Sequence, residues 1–337
     1  MIRFFLLILV STLLLIILYA VQTSNLNNSY LTDGKLSVEN EFTPSNSTEC
    51  KPILDNATQY FAIIDGIRYP RSVQLMRNTS INFDCLNKSK TIKKIFLWNS
   101  FHKHESYTLG FGVRTPFINK KCPVTSCELL KDRSRLNESD YVIYHMRSDS
   151  DVPPKHRPPN QRWIFFLIES PIHSADFDNL NGFFNYTSTY RIDSDFSGYY
   201  EYQSGLEWKE NKSIDDNLND YHKDKASLAV ALITNCGAPS RRLEYINEMQ
   251  KYIQVNIFGA CGHQKCPTHF KNGKIGDCKE ILSAEYKFYL AYENSVCKEY
   301  ITEKFFHILR YNIIPVVLGL GQYDYFVRCF YFFHVTI

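Results

Sequence analysis

The side chains whose type and surroundings could do chemistry in this sequence fall in three places. They are the carboxylate Glu169 at the end of an apolar run, the guanidinium pair Arg241 and Arg242 opening an amphipathic stretch, and Glu303 with Lys304 just after Thr302. Thr302 offers a hydroxyl at the N-cap of a helix whose apolar positions are Phe305, Phe306, Ile308 and Leu309. The free N–H groups and positive dipole end of such a helix attract phosphate. Lys304 adds a full charge in the first turn, against the helix's own dipole, which hints at an anionic ligand. The alternative is a surface helix with Glu303 and Lys304 paired in solvent. Arg242 could grip a phosphate in bidentate fashion, with Arg241 as its neighbour and alternative.

These groups need elements to position them. Tyr286 to Ala291 reads as a buried strand, and Glu293 and Asn294 break its apolar run. Ser227 to Thr234 and Val255 to Phe258 read as strands around a helix from Ser240 to Tyr252. The helix from Thr302 and a strand from Ile313 to Leu318 repeat that unit. In the first half Lys94 to Trp98, Tyr141 to His145 and Ile164 to Ile168 are short apolar runs suited to parallel strands buried on both faces. Alternating strand, helix and strand implies right-handed crossovers and Rossmann-like sheets. Ligands bind such sheets at the carboxyl ends of the strands, where Glu169, Asn235 and Asn294 fall.

Four stretches then carry a resemblance. They are Tyr286 to Lys304; Asn235-Cys236-Gly237-Ala238-Pro239-Ser240-Arg241-Arg242-Leu243-Glu244-Tyr245, continuing to Gly262; Arg157 to Trp163 with Glu169-Ser170-Pro171; and Tyr190-Arg191-Ile192-Asp193-Ser194-Asp195. Their wording and order resemble the alpha-1,3-fucosyltransferases of glycosyltransferase family 10, most of all the core-type enzymes of plants, insects and nematodes. The resemblance runs from about residue 93 to 325 and implies an α/β, GT-B-like architecture: two Rossmann-like domains facing across a cleft. With an apolar start and a polar stretch after it, the chain is expected to divide into a cytosolic tail (1–3), a transmembrane signal anchor (4–21), a luminal stem (22–60), an acceptor-side domain (61–206), a linker (207–226), an incomplete GDP-fucose-binding domain (227–325) and a divergent tail (326–337).

The activity so implied is inverting transfer of L-fucose from GDP-fucose to a hydroxyl of GlcNAc on glycoprotein N-glycans, core GlcNAc being favoured over Lewis-type GlcNAc. The acceptor hydroxyl needs a base, and the departing diphosphate needs fixed donors. Glu169 stands at the family's base position; a solvated strand-end carboxylate is the alternative. Donor binding falls to Arg242, Asn294, Tyr300, Glu303 and Lys304. Glu303 would hold fucose hydroxyls or stabilise charge on the sugar ring, and Asn294 and Tyr300 would hydrogen-bond or stack. Tyr190 and Arg191 are placed at the donor site or in interdomain packing. The Asp193–Asp195 pair spells Asp-x-Asp, a metal motif in many glycosyltransferases. Here the resemblance implies no obligatory cofactor and no metal ligand, with manganese at most a stimulant.

The rest of the sequence speaks to compartment. An apolar run from Phe4 to Val21, behind the single basic residue Arg3, is long enough to cross a bilayer and longer than the core of a cleaved signal peptide. Charge places the short tail in the cytosol. Residues 22–60 are rich in Asn, Ser and Thr and read as a flexible stem. Sequons start at Asn27, Asn46, Asn56, Asn78, Asn87, Asn137, Asn185 and Asn211 and, with ten cysteines, agree with the lumen, as expected of a single-pass type II protein of the Golgi membrane. The cysteine spacings favour disulfides over zinc. A net charge of +3 gives no argument for nucleic acid.

Past residue 325 the familiar wording gives way to Phe326-Val327-Arg328-Cys329-Phe330-Tyr331-Phe332-Phe333-His334, an apolar run resembling an alternative terminus. Three readings follow: an active fucosyltransferase, an inactive GDP-binding member of the same fold, and a chain too truncated to fold.

Overall fold

The computed structural model describes residues 61–64, 67–70, 87, 91–101, 105–107, 109–120, 122, 124–147, 153–154, 157–191, 193–196, 200, 224–270, 273–323 and 333–334. The expected tail, anchor and stem at 1–60 lie outside them, as does the expected linker apart from 224–226. Among the described residues no helix is long and apolar enough to cross a membrane. The chain divides into two compact units. The first runs to Leu167 and includes Phe177–Ser197; the second comprises Ile168–Asp176 and Gly198 onward.

The first unit opens with an antiparallel hairpin, β1 (Phe61–Ile64) and β2 (Ile67–Pro70). Its main elements are β3 (Lys93–Leu97), β4 (Gly112–Val113), α1 (Thr115–Asn119), β5 (Cys127–Leu130), β6 (Tyr141–His145), β7 (Arg162–Leu167) and β8 (Tyr186–Thr189). Among the described residues they give a sheet of order β4-β5-β3-β6-β7-β8, parallel except for β4 at its edge. Phe96, Val142 and Trp163 have no exposure, as strands covered on both faces require. The Trp163 indole donates to Gln161 (2.7 Å), so its single polar atom is satisfied inside the core.

The second unit consists of β9 (Ser227–Leu232), α2 (Arg242–Met249), β10 (Val255–Phe258), α3 (Cys278–Glu285), β11 (Tyr286–Tyr292), α4 (Glu303–Phe306), β12 (Ile314–Leu318) and β13 (Phe333–His334). All its described strands are parallel, in the order β10-β9-β11-β12-β13. Ile246 of α2 packs with no exposure into a core of Ala231, Ile233, Leu290, Tyr292 and Leu318. Counted from the first parallel strand of each unit, both sheets run second, first, third, fourth, fifth. In this doubly wound order the crossovers leave the first strand on opposite sides, and a crevice opens between the first and third strands at their carboxyl ends.

Two expectations change. The helix expected from Thr302 through Leu309 is one turn, α4, followed by a 3-10 turn at Ile308–Arg310. Its aromatic residues Phe305 and Phe306 are both buried, so tertiary packing rather than helix propensity shapes the segment. The residues expected to form a divergent tail contribute β13, which pairs in register with Val316 and Val317.

Candidate active site

The carboxyl ends of β9 and β11 meet at the switch point of the second unit, and the loop entering α2 is tied to them. Ser240 N donates to Asn294 O (3.1 Å) and Ser240 Oγ to Glu293 O (2.7 Å). Arg241 caps α2 in the left-handed region (φ 54°) and pairs in the open with Glu244. Arg242, the first residue of α2, turns inward and is 4% exposed. Its Nη1 donates to Tyr292 O (2.8 Å), its Nη2 reaches Asn235 O (3.5 Å), and its Nε has no partner. Burial pulls its pKa down, while the charges of Glu293 and Glu303 work the other way.

Those two carboxylates belong to a buried ionic cluster. Glu293 follows β11 with no exposure, accepting from Thr302 N (2.8 Å) and Thr302 Oγ1 (2.7 Å). Lys304 Nζ stands 2.9 Å from Thr302 Oγ1, 3.0 Å from Glu303 Oε1 and 3.5 Å from Glu293 Oε2. Burial raises the Glu293 pKa, with the Lys304 charge opposing it. Glu303 is also pushed up by burial, but Lys304 and then Lys279 outweigh this and bring it down to about 2. Lys304 feels the same contest in reverse: burial lowers it, and the two carboxylates raise it further. Arg242 and Lys304 each feel both Glu293 and Glu303, while Lys279 lies within electrostatic reach of Glu303 and Asp277. Lys304 does act against the dipole of its turn, but two carboxylates of its own unit already compensate it.

Glu169 lies past the end of β7, in the segment that belongs to the second unit. Tyr300, 1% exposed, donates its hydroxyl to Glu169 Oε2 (3.1 Å). Asn294 is half-buried, and its Oδ1 accepts from Ser295 Oγ (3.2 Å). The second unit therefore brings together Glu169, Arg242, Asn294, Tyr300, Glu303 and Lys304. Tyr190 and Arg191 belong to the first unit. There Arg191 grips Asp193 through both Nε (2.8 Å) and Nη2, and Asp195 accepts from Thr187 N (2.8 Å) and Oγ1 (2.9 Å). Both acids of the Asp-x-Asp are thus engaged locally. Among the described residues no group of three His, Cys, Asp or Glu could hold a metal.

Sequence reasoning missed Glu293, Lys279, Tyr200 and the Ser170–Ser295 pair. A carboxylate at the carboxyl end of an otherwise apolar strand is the one signal the sequence offers for Glu293. Among the described residues two disulfides brace the second unit, Cys236–Cys261 and Cys266–Cys278, while Cys122, Cys127 and Cys297 are unbridged.

Residues 222–336 match the model of glycosyltransferase family 10 (fucosyltransferase) C-term, and residues 90–201 match that of the fucosyltransferase N-terminal region. The chain belongs to this family, and the match runs beyond the residue 325 at which the motifs fade. Glycoprotein 3-alpha-L-fucosyltransferase A of Drosophila melanogaster is 36% identical over 248 residues, covering 72% of this chain and 46% of the relative. The human 4-galactosyl-N-acetylglucosaminide 3-alpha-L-fucosyltransferase FUT6 is 33% identical over 242 residues, 70% of this chain and 62% of the relative. A solved alpha1,3-fucosyltransferase with GDP-fucose aligns at a TM-score of 0.44 with 18% identity, covering 70% of this chain and 71% of that one. The chain spans roughly half to three fifths of the length of the curated relatives it matches.

Proposed function

We propose that this chain transfers L-fucose from GDP-fucose, in alpha-1,3 linkage and with inversion, to GlcNAc of glycoprotein N-glycans. The observation that supports this most is the assembly within one unit of a carboxylate, Glu169, and of the two cations Lys304 and Arg242. The acceptor hydroxyl gives its proton to Glu169 as its oxygen attacks the anomeric carbon. The bond to the diphosphate breaks on the opposite face, and the leaving charge is matched by Lys304 and by Arg242, whose Nε is unengaged. Asn294 and Glu303 meet the donor, with Glu303 ionised and able to accept hydrogen bonds from fucose hydroxyls. Core GlcNAc is the favoured acceptor, since the motif wording resembles the core-type group and the Drosophila relative is named as acting on glycoprotein. The human relative's name favours the Lewis-type alternative. No metal is required in this reading, and manganese at most stimulates. The chemistry is placed in the Golgi lumen, behind the expected signal anchor.

The test is GDP release from GDP-fucose with an array of defined glycans. Glu169→Gln abolishes transfer and leaves GDP affinity within about twofold, because the amide cannot take the proton. Undiminished turnover in that variant removes Glu169 from the mechanism, and GDP binding without transfer by the wild-type chain favours an inactive binding member of the family.

A further inference from the structure

Glu303 keeps 37% of its side-chain surface exposed, enough to meet a ligand, and two lysines act on it. Lys304 meets it at 3.0 Å from its own turn. Lys279 comes from the first turn of α3 and reaches the face of α4 that carries Glu303. Its Nζ stands 3.3 Å from His307 Nδ1, and His307 N donates to Glu303 O (3.1 Å), four residues back on the same face. Asp277, which caps α3, holds that helix to the same segment by accepting from Tyr311 OH (3.1 Å). The charged and titratable groups facing Glu303 are therefore Lys279 from α3, Arg242 from α2, Tyr289 and Glu293 from β11 and its end, and Tyr300, Lys304 and His307 from its own segment.

We propose that Lys279 is a positioning residue of the donor site, keeping Glu303 ionised and available to the fucose ring while Lys304 is engaged by the diphosphate. This rests on the function proposed above. Lys304 already serves Glu303 and Glu293, and the donor adds a third claim on it. Phosphate charge arriving beside Lys304 pushes the neighbouring carboxylate toward protonation. A protonated Glu303 accepts fewer hydrogen bonds from sugar hydroxyls and cannot offset positive charge growing on the ring. Lys279 has Glu303 and Asp277 as its acidic neighbours, so its charge remains with Glu303 when that of Lys304 is drawn away. The pull is mutual. Burial lowers the Lys279 pKa and the Glu303 charge leads the opposition, while Lys304 and then Lys279 hold Glu303 down against its own burial.

The probe is the ratio of calorimetric Kd values for GDP and GDP-fucose, which isolates contacts to the sugar and does not involve the base. In the full wild-type chain this ratio is expected to stay flat from pH 7 to 5. Lys279→Met keeps an apolar stem and removes the charge. In it the relative affinity for GDP-fucose is expected to fall about 10-fold over that range as Glu303 takes up a proton, with GDP affinity within about twofold of wild type. Lys279→Arg is expected to restore the flat ratio. Adding His307→Gln to Lys279→Met is expected to leave the pH dependence in place; its disappearance would assign the titration to the imidazole and overturn the proposal. A flat ratio in Lys279→Met also overturns it, as does an equal loss of affinity for both ligands, which a merely structural role would give. Absence of GDP-fucose binding by the wild-type chain overturns the functional reading and this inference together. A wild-type chain that binds the donor and transfers no fucose overturns the functional reading alone, because the Lys279 comparison reads binding.

Discussion

At the scale of single residues the site is a contest between burial and charge. Glu293 is enclosed completely; burial raises its pKa, and the Lys304 charge and two hydrogen bonds from Thr302 oppose that rise. Removing either partner of such a buried pair leaves the other uncompensated. Lys304→Ala is therefore expected to destabilise the second unit by about 3 kcal/mol in urea titrations and to weaken GDP binding about 10- to 100-fold. The two effects have different causes, and a second substitution separates them. Adding Glu293→Gln to Lys304→Ala removes the stranded charge, so stability should recover by about 2 kcal/mol while GDP affinity stays low. Recovery of both would mean that Lys304 acts through the fold and not on the diphosphate.

At the scale of elements, what was legible followed burial. Strands β6 and β10 were read from sequence with the bounds they have, and β3, β7, β9, β11 and β12 to within one or two residues, because each is a nearly unbroken apolar run closed by a polar residue. Strand β5 was invisible since Glu128 interrupts it; the charge is buried in the fold and answered by the Arg135 guanidinium at 2.8 Å. Strand β8 is a Tyr-Thr-Ser-Thr sequence with no apolar pattern. Helix α3 could have been found from Asp277, whose side chain caps it by accepting from Glu280 N (2.8 Å). The site was legible as separate residues, but its internal bonds were not, because Tyr300 and Glu169 lie 131 positions apart. The Cys236–Cys261 bond, with a separation of 25, holds the loop entering α2 to the segment after β10. Opening it with serines at both positions is expected to cost about 3 kcal/mol by loop-closure entropy and to lower the thermal midpoint, readable by calorimetry with and without reductant.

At the scale of the whole molecule, the charges make stability depend on pH in a defined direction. His307, beside Lys279 Nζ at 3.3 Å, is pushed by burial and then by that ammonium down to about 4 from an ordinary 6.5. The unfolded chain therefore takes up this proton first as pH falls. Stability should decline between about pH 6.5 and 4, by about 2 kcal/mol once partial exposure is allowed for. Glu303 adds to this at lower pH: its folded value of about 2 lies below its usual 4.5, so its contribution is present above 4.5 and lost as pH falls through 2. Urea midpoints from pH 7 to 3 check both, and His307→Gln should flatten the upper window alone.

The two units are also separated in time. During synthesis the sheet of the first unit is complete once residue 189 has emerged, yet Glu169 and Ser170 belong to the other unit. Their partners follow 131 and 125 residues later, about 10 s at ordinary translation rates. The Glu169 carboxylate must therefore wait for its phenol donor to be made, and its placement is among the last acts of folding.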